Sequence, residues 1–440
     1  MELDYDPADK NSILQAAKRL TGKTLNESCI IPEEIQNKAN KGDLGTLVEN
    51  YYFGIHPGNS PKPDFAEADL ELKTTGLVKR GGRLVAKERL VLNMINFDTM
   101  AEESWANSSF VKKCASMLIL FYEYIKEKSV IDRKFIIDPK ILEVLKSQDA
   151  VQIQKDWEFI KNKIRAGLAH ELSEGDTYYL GACRKGSGGP DEKLRSQPYS
   201  DLPAKARALS LKQGYVQAIL DSHLSDLESV TTGSRLTVKD AVLERFSPYL
   251  GMTLESLAKE MDRQKTSSNQ KGFHRGLAER MLSESGSSIL ELVKAGIEMK
   301  TIRVNKSWRP NEAMSFPGFK FLELVDEEWE DSSFAKKIEQ KFLFVIFRTG
   351  DDGIERLEKV AFWNMPYADR EEARRVFEET KRRVLINAKD LPKASESTVA
   401  HVRPKARDAS DVIPTPQGEY HVKQCFWLNQ NYIEKVIQGL

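Results

Sequence analysis

The chain has 440 residues, 40% of them hydrophobic and 30% charged, which exceeds one ordinary core and predicts two globular domains. Its 66 basic and 66 acidic residues cancel. That balance excludes a global electrostatic attraction to nucleic acid, so any such surface must come from local segregation of charge.

The acidic, polar N-terminus argues against a signal peptide. A first helix is expected over 12–20, where Ile13, Leu14, Ala17 and Leu20 recur at helical spacing before Gly22. A second is expected over LGTLVENYYFG (44–54), with Glu49 off its apolar stripe. HPGNSPKP (56–63) reads as a loop. The next stretch, DFAEADLELK (64–73), is the first with chemistry in it. On a strand, Glu71 and Lys73 point one way and Leu70 and Leu72 the other. A tight turn through DFAEAD would bring Asp64 back beside them. Two carboxylates placed so bind a hard divalent cation such as Mg2+. A lysine beside them can help deprotonate or orient an attacking water, the apparatus of metal-assisted phosphodiester hydrolysis. Alone the pattern is weak, and an exposed Glu–Lys strand face is the plain alternative.

Strands are expected over 88–97 and over 117–124, the latter an unbroken apolar run suited to burial on both faces. KFIID before Pro139 reads as a short strand, followed by a helix from Lys140 and an amphipathic helix over 151–169. His170–Glu174 begins His-Glu but lacks a second His four residues on, so it reads as a cap of that helix and not a zinc site. The polar loop 181–198 offers Arg184 and Lys185, with Gly186, Gly188 and Gly189 allowing close backbone approach to a ligand. KARALSLKQGYV (205–216) reads as a strand and turn that place Lys212 and Tyr215. Periodicity fades over 225–236. The division expected is 1–228, a linker at 229–236, and 237–440. The four scattered cysteines predict reduced thiols in a cytoplasmic protein, and no apolar run is long enough to span a membrane.

The second half restates the first. ESWANSSFVKK at Trp105 returns as EEWEDSSFAKK at Trp329, and LTGKTL (20–25) as LGMTL (250–254). KGDLGTLVEN (41–50) returns as KGFHRGLAER (271–280), and LELKT (70–74) as IEMKT (297–301). Four echoes in one order predict two tandem copies of one domain. Glu279 then matches Glu49, and Glu298 and Lys300 match Glu71 and Lys73. Glu291 faces Asp64 from a helix-like run, so the second copy is expected to bind without cutting. The alternative is that both copies cut.

KGDLGTLVE, PDFAEADLELKT and SSFVKK, extended by HELSEG, YLGACRKG and SLKQGY, resemble the MutH mismatch-repair endonucleases. Over the whole length the chain resembles the Sau-three-A type of restriction endonuclease, which carries a second MutH-like domain. The resemblance implies an α/β (α+β) fold of two tandem PD-(D/E)xK nuclease domains, each a mixed sheet flanked by helices. It implies Mg2+ on Asp64 and Glu71, with Glu49 supporting the metal shell. Lys73 would position the water, Lys41 would lie near the site, and Lys113 (or Lys112, one residue away) would be a further active-site lysine. Arg184 and Lys185, with Gly186, would be the base-reading loop, and Arg403 and Lys405 its match in the second copy. Lys212 and Tyr215 would contact DNA. The methylation-sensing aromatic falls at Val216, with Tyr215 adjacent. The implied partner is double-stranded GATC DNA, taken at two sites by a chain that is monomeric when free and dimeric or looped on DNA. Two other readings stand: a nickase of hemimethylated GATC, and a DNA-looping protein with no catalysis.

Overall fold

Apolar runs separated by polar turns fix the strands of the first half. The computed structural model describes residues 4–36, 44–56, 58, 61–186, 192–220, 227–261 and 272–440. In it β1 is Glu71–Arg80, β2 Arg83–Ala86, β3 Leu90–Met94, β4 Ser116–Glu123 and β5 Phe135–Glu143. β6 is Leu180–Arg184, β7 Arg195–Gln197, β8 Ser200–Ala204 and β9 Arg207–Leu211. One sheet runs β2-β1-β4-β5 and another β3-β9-β6. β1 and β4 are parallel, with Glu71 opposite Met117 and Lys73 opposite Ile119. All of β4 but Glu123 is buried, as expected of a strand covered on both faces.

The second half repeats this plan. β10 is Glu298–Val304, β11 Met314–Phe319, β12 Lys341–Thr349 and β13 Glu355–Asn364. β14 is Ala400–Pro404, β15 Val412–Pro414, β16 Tyr420–Val422 and β17 Gln424–Leu428. The sheets β10-β12-β13 and β11-β17-β14 match β1-β4-β5 and β3-β9-β6 strand for strand. Parallel pairing recurs between β10 and β12, and antiparallel pairing between β12 and β13. The helix Ala150–Arg165 corresponds to Tyr367–Ile386, and Gln213–Leu220 to Gln430–Gly439. The fold is mixed α/β in two tandem copies.

The copies are not beads on a string. One apolar cluster joins Leu77, Met117 and Trp157 of the first to Phe246, Leu277 and Leu357 of the second. Helix Gln213–Leu220 lies on helix Leu290–Ala295 so closely that a Cβ on Gly214 would strike the Val293 carbonyl. Beside that contact Lys294 Nζ pairs with Asp149 Oδ2 at 2.8 Å, the two side chains only 11% and 7% exposed. Tyr215 donates its hydroxyl to the same carboxylate at 2.8 Å.

Two local expectations are corrected. The strand before Pro139 does not give way to a helix at Lys140; β5 runs on to Glu143. It lies at the edge of its sheet, where a proline removes no needed donor, and its register shifts between the partners of Ile119 and Phe121. The long helix ends at Arg165, before Gly167 (φ +72°), so His170 does not cap it. His170 instead lies in a one-turn 3-10 segment against Gln197, Nδ1 to Nε2 3.0 Å. Val151, at 39% exposure, is off that helix's buried face.

Candidate active site

The site is built by a hairpin one turn long. Phe65 and Leu70 exchange backbone hydrogen bonds of 2.9 and 3.2 Å around the 3-10 turn Ala66–Ala68. Asp69 closes it in the left-handed region at φ +47°, which a short polar side chain tolerates better than most. Asp64 is thereby folded back onto the start of β1. Its N–H donates to Glu71 Oε2 at 3.2 Å, and its Oδ2 accepts from the Leu72 N–H at 2.9 Å. Glu71, 1% exposed, takes Lys73 on its other oxygen at 2.6 Å, with Lys113 Nζ 3.5 Å from that same oxygen.

Lys113 arrives through the repeated Trp-Ser-Ser-Phe-Lys-Lys motif. Trp105 opens a 3-10 turn, Ser108 caps the helix Ser109–Cys114 by accepting from the Val111 N–H, and the helix points Lys113 at Glu71. Trp329, Ser332 and the helix Ser333–Ile338 repeat the arrangement and deliver Lys337 to Glu298 at 3.3 Å. The echo in the sequence thus carries a lysine to the strand glutamate in each copy, and in the first it is Lys113 that reaches Glu71.

Glu49 follows a four-residue helical turn, Leu44–Leu47, within a π-helical segment, Val48–Tyr52. Burial first, then the nearby Asp64 carboxylate, push Glu49 up to about 7. Burial also raises Glu71, against the pull of Lys73. Burial works against charge on Lys73, but Glu71 and its other anionic neighbours outweigh it and raise its pKa. Lys73 is therefore an ammonium that can orient water and stabilise negative charge, and a poor base. Burial drives the adjacent Cys114 thiol up to about 12, so it is no nucleophile.

These residues fit a hard cation. Asp64 and Glu71 are tied by a hydrogen bond, and Glu49 lies near enough to feel both carboxylates, though burial is the larger cause of its raised pKa. Among the described residues no group of three or more His, Cys, Asp or Glu side chains is placed to hold a metal ion, and Lys73 and Lys113 share one Glu71 oxygen. Binding a cation would require those ammoniums to yield that oxygen.

The second copy keeps half of this. Lys300 pairs with Glu298 at 2.6 Å, the counterpart of Lys73 on Glu71. Glu291 does not take the place of Asp64. It is 1% exposed and turned to the other side, accepting from Ser229 Oγ (2.6 Å), Thr231 N (3.0 Å) and Thr231 Oγ1 (2.7 Å).

The residues expected at the DNA are not brought together. Arg184 Nη1 lies 3.6 Å from Glu192 and 3.4 Å from Glu330 of the second copy, and Lys205 lies 3.5 and 2.5 Å from the same two acids. Sequence reasoning missed those acids, because nothing local in a polar loop marks its partner on another copy. Lys185 donates its backbone N–H to Ala206 O at 2.7 Å. Gly186 sits at φ +124°, where an added Cβ would meet the Glu192 carboxylate. Lys41, Gly188 and Gly189 lie outside the described residues.

Lys212 and Tyr215 require correction. Lys212 is 3% exposed and donates to Thr177 O at 2.6 Å, and Tyr215 is 2% exposed on Asp149. The turn after β9 starts a helix packed against the second copy, which draws Tyr215 inward, while Lys212 is held inside the first copy by Thr177 O. Val216 is fully buried with them. Arg403 is exposed and lies over the Trp427 ring, 4.0 Å to its centroid. It occupies the strand register of Cys183, since Arg403 pairs with Cys425 as Cys183 pairs with Ala208. Lys405 matches Lys185, its backbone N–H donating to Lys423 O at 2.9 Å, while its Nζ is held by Phe316 O at 2.7 Å.

The family described as "DNA mismatch repair enzyme MutH" matches residues 53–156 and 283–375, one segment in each copy. The type II restriction enzyme Sau3AI of Staphylococcus aureus is 32% identical over 492 aligned positions, covering 98% of this chain and 99% of that protein. The chain belongs to the MutH-related type II restriction endonucleases. The mismatch repair protein MutH of Yersinia enterocolitica is 25% identical and covers 49% of this chain and 94% of its own. That of Yersinia pseudotuberculosis is 26% identical, over 38% of this chain and 72% of its own. A MutH protein thus spans about half of this restriction-enzyme homologue, as a duplicated architecture requires.

Proposed function

We propose that the first copy hydrolyses phosphodiester bonds of double-stranded DNA at GATC and leaves 5′-phosphate ends. The second copy, which we take to begin after a linker at 229–236 and run over 237–440, binds a second GATC duplex as an effector without cutting. The single observation that carries this is the asymmetry of the two sites: Asp64 is folded onto Glu71, whereas Glu291 is turned away from Glu298.

Glu71 and Asp64, with Glu49 behind them, would hold Mg2+, which when bound polarises the scissile phosphate. Lys73, held charged, orients the attacking water and stabilises the negative charge that grows in the transition state, where such a group gains most. Lys113 lies against the same Glu71 oxygen as Lys73. Arg184 and Lys185 stand on the strand and loop that would face the bases, and an arginine or lysine there suits the O6 and N7 acceptors of guanine. A restriction enzyme of this kind acts in the cytoplasm, as a monomer when free and as a dimer or loop on two sites. No helix among the described residues is long and apolar enough to cross a membrane.

Plasmids carrying no, one or two GATC sites, methylated and not, test the reading with their ends mapped. Fastest cleavage of two-site plasmids is expected. Glu71→Ala should lower cleavage at least about a thousandfold, since about 4 kcal/mol of barrier corresponds to that factor, and should still bind duplex. Normal turnover by that variant in Mg2+ would overturn the assignment.

A further inference from the structure

The corresponding site of the second copy keeps a cavity of about 270 Å3, and its charge is inverted. In the first copy three carboxylates, Glu49, Asp64 and Glu71, face two ammoniums, Lys73 and Lys113. In the second, two carboxylates, Glu279 and Glu298, face three cations, Arg275, Lys300 and Lys337. The new cation is Arg275. Aligning KGFHRGLAER on KGDLGTLVEN sets it at Gly45, whose added Cβ would lie 3.4 Å from Thr74 Oγ1 and 4.0 Å from Glu49 Oε1. Where the first copy leaves room beside its carboxylates, the second inserts a guanidinium, with Arg275 Nε 2.9 Å from Glu279 Oε1.

Arg275, Glu279, Glu298 and Lys337 all line the cavity. Arg275 is the outermost charge, 60% exposed against 26% for Glu279, while Lys337 is about as exposed as Glu298 and Lys300 pairs with Glu298 from outside the cavity lining. A site with two fixed carboxylates already neutralised, no third ligand and a surplus positive charge does not suit a divalent cation. It suits an anion, and Arg is the side chain whose planar fork best matches phosphate oxygens.

We propose that this pocket is a metal-independent binding site for one backbone phosphate of duplex DNA, with Arg275 and Lys337 as its cations. It rests on the reading that the second copy binds DNA, and adds how that copy holds DNA where the first would need a metal.

The test uses the full chain carrying Glu71→Ala, in EDTA, with short duplexes followed by fluorescence anisotropy across a salt series. Adding Arg275→Ala should weaken duplex binding by about tenfold and lower the slope of log affinity against log salt by about one, equally on GATC and unrelated duplexes, because a phosphate contact positions without reading sequence. Arg275→Lys should keep most of the affinity, which separates loss of charge from loss of fold. Unchanged affinity and slope in Arg275→Ala, with weakening in Arg403→Ala, would overturn the pocket and leave the second copy as a DNA binder. If neither substitution alters binding, that reading falls too. Binding that appears only on adding a divalent cation would overturn the metal-independence.

Discussion

Glu49 offers a test in which sign and size both come from the site. Burial and the Asp64 carboxylate raise it to about 7 in the metal-free protein, so a proton and a metal compete for it. At about pH 6 roughly nine in ten Glu49 side chains are protonated, and each further pH unit down should cost the metal about tenfold in apparent affinity. Above about pH 8 the dependence should flatten. Burial raises Glu71 in the same direction, so the loss should steepen further into acid. Stability follows the opposite course in EDTA. The folded state holds the Glu49 proton more tightly than the unfolded chain. Its contribution is therefore present below the ordinary carboxylate range and is lost as pH rises through about 7. The assay is half-saturating Mg2+ for cleavage between about pH 6 and pH 8, beside melting curves in EDTA over the same range. Glu49→Gln should bind metal more weakly at high pH and lose most of the pH slope. A Glu49→Gln variant with the wild-type slope, or a wild-type chain with none, would refute the reasoning.

Two further outcomes are expected. Asp149→Ala strands the Lys294 ammonium in an interface where the pair is about nine-tenths buried, which should lower stability by about 3–5 kcal/mol in urea unfolding. Replacing both partners with apolar residues of similar volume should restore much of it, and a single substitution costing less than about 1 kcal/mol would show that the pair does not hold the copies together. Glu330→Gln removes a carboxylate from Arg184 and Lys205 and should tighten duplex binding in EDTA with a steeper salt dependence; unchanged binding would place those two cations off the DNA path.

Much of the site was legible in the chain because its parts are local. Asp64, Glu71 and Lys73 lie within ten residues, and strand alternation plus one tight turn suffices to bring them together. The Trp-Ser-Ser-Phe-Lys-Lys echo was visible for the same reason: a serine cap and a short helix are set by adjacent residues. Glu291 was expected to miss the metal because of its helical surroundings, and the fold adds where it went, onto Ser229 and Thr231.

What the chain by itself determined was the periodic pattern, the duplication and the local charge cluster, all of which depend on neighbours along the backbone. Tertiary structure alone decided which charges are left free. Lys212 and Tyr215 read as exposed turn residues, yet the second copy packs against the helix that carries Tyr215, and Lys212 is drawn in to Thr177 O of its own copy. Arg184 reads as a free cation, yet it meets a glutamate 146 positions away (Glu330). Those outcomes depend on surfaces distant in sequence coming into contact. Such contacts fix burial and partner together, and no pattern within either segment encodes them.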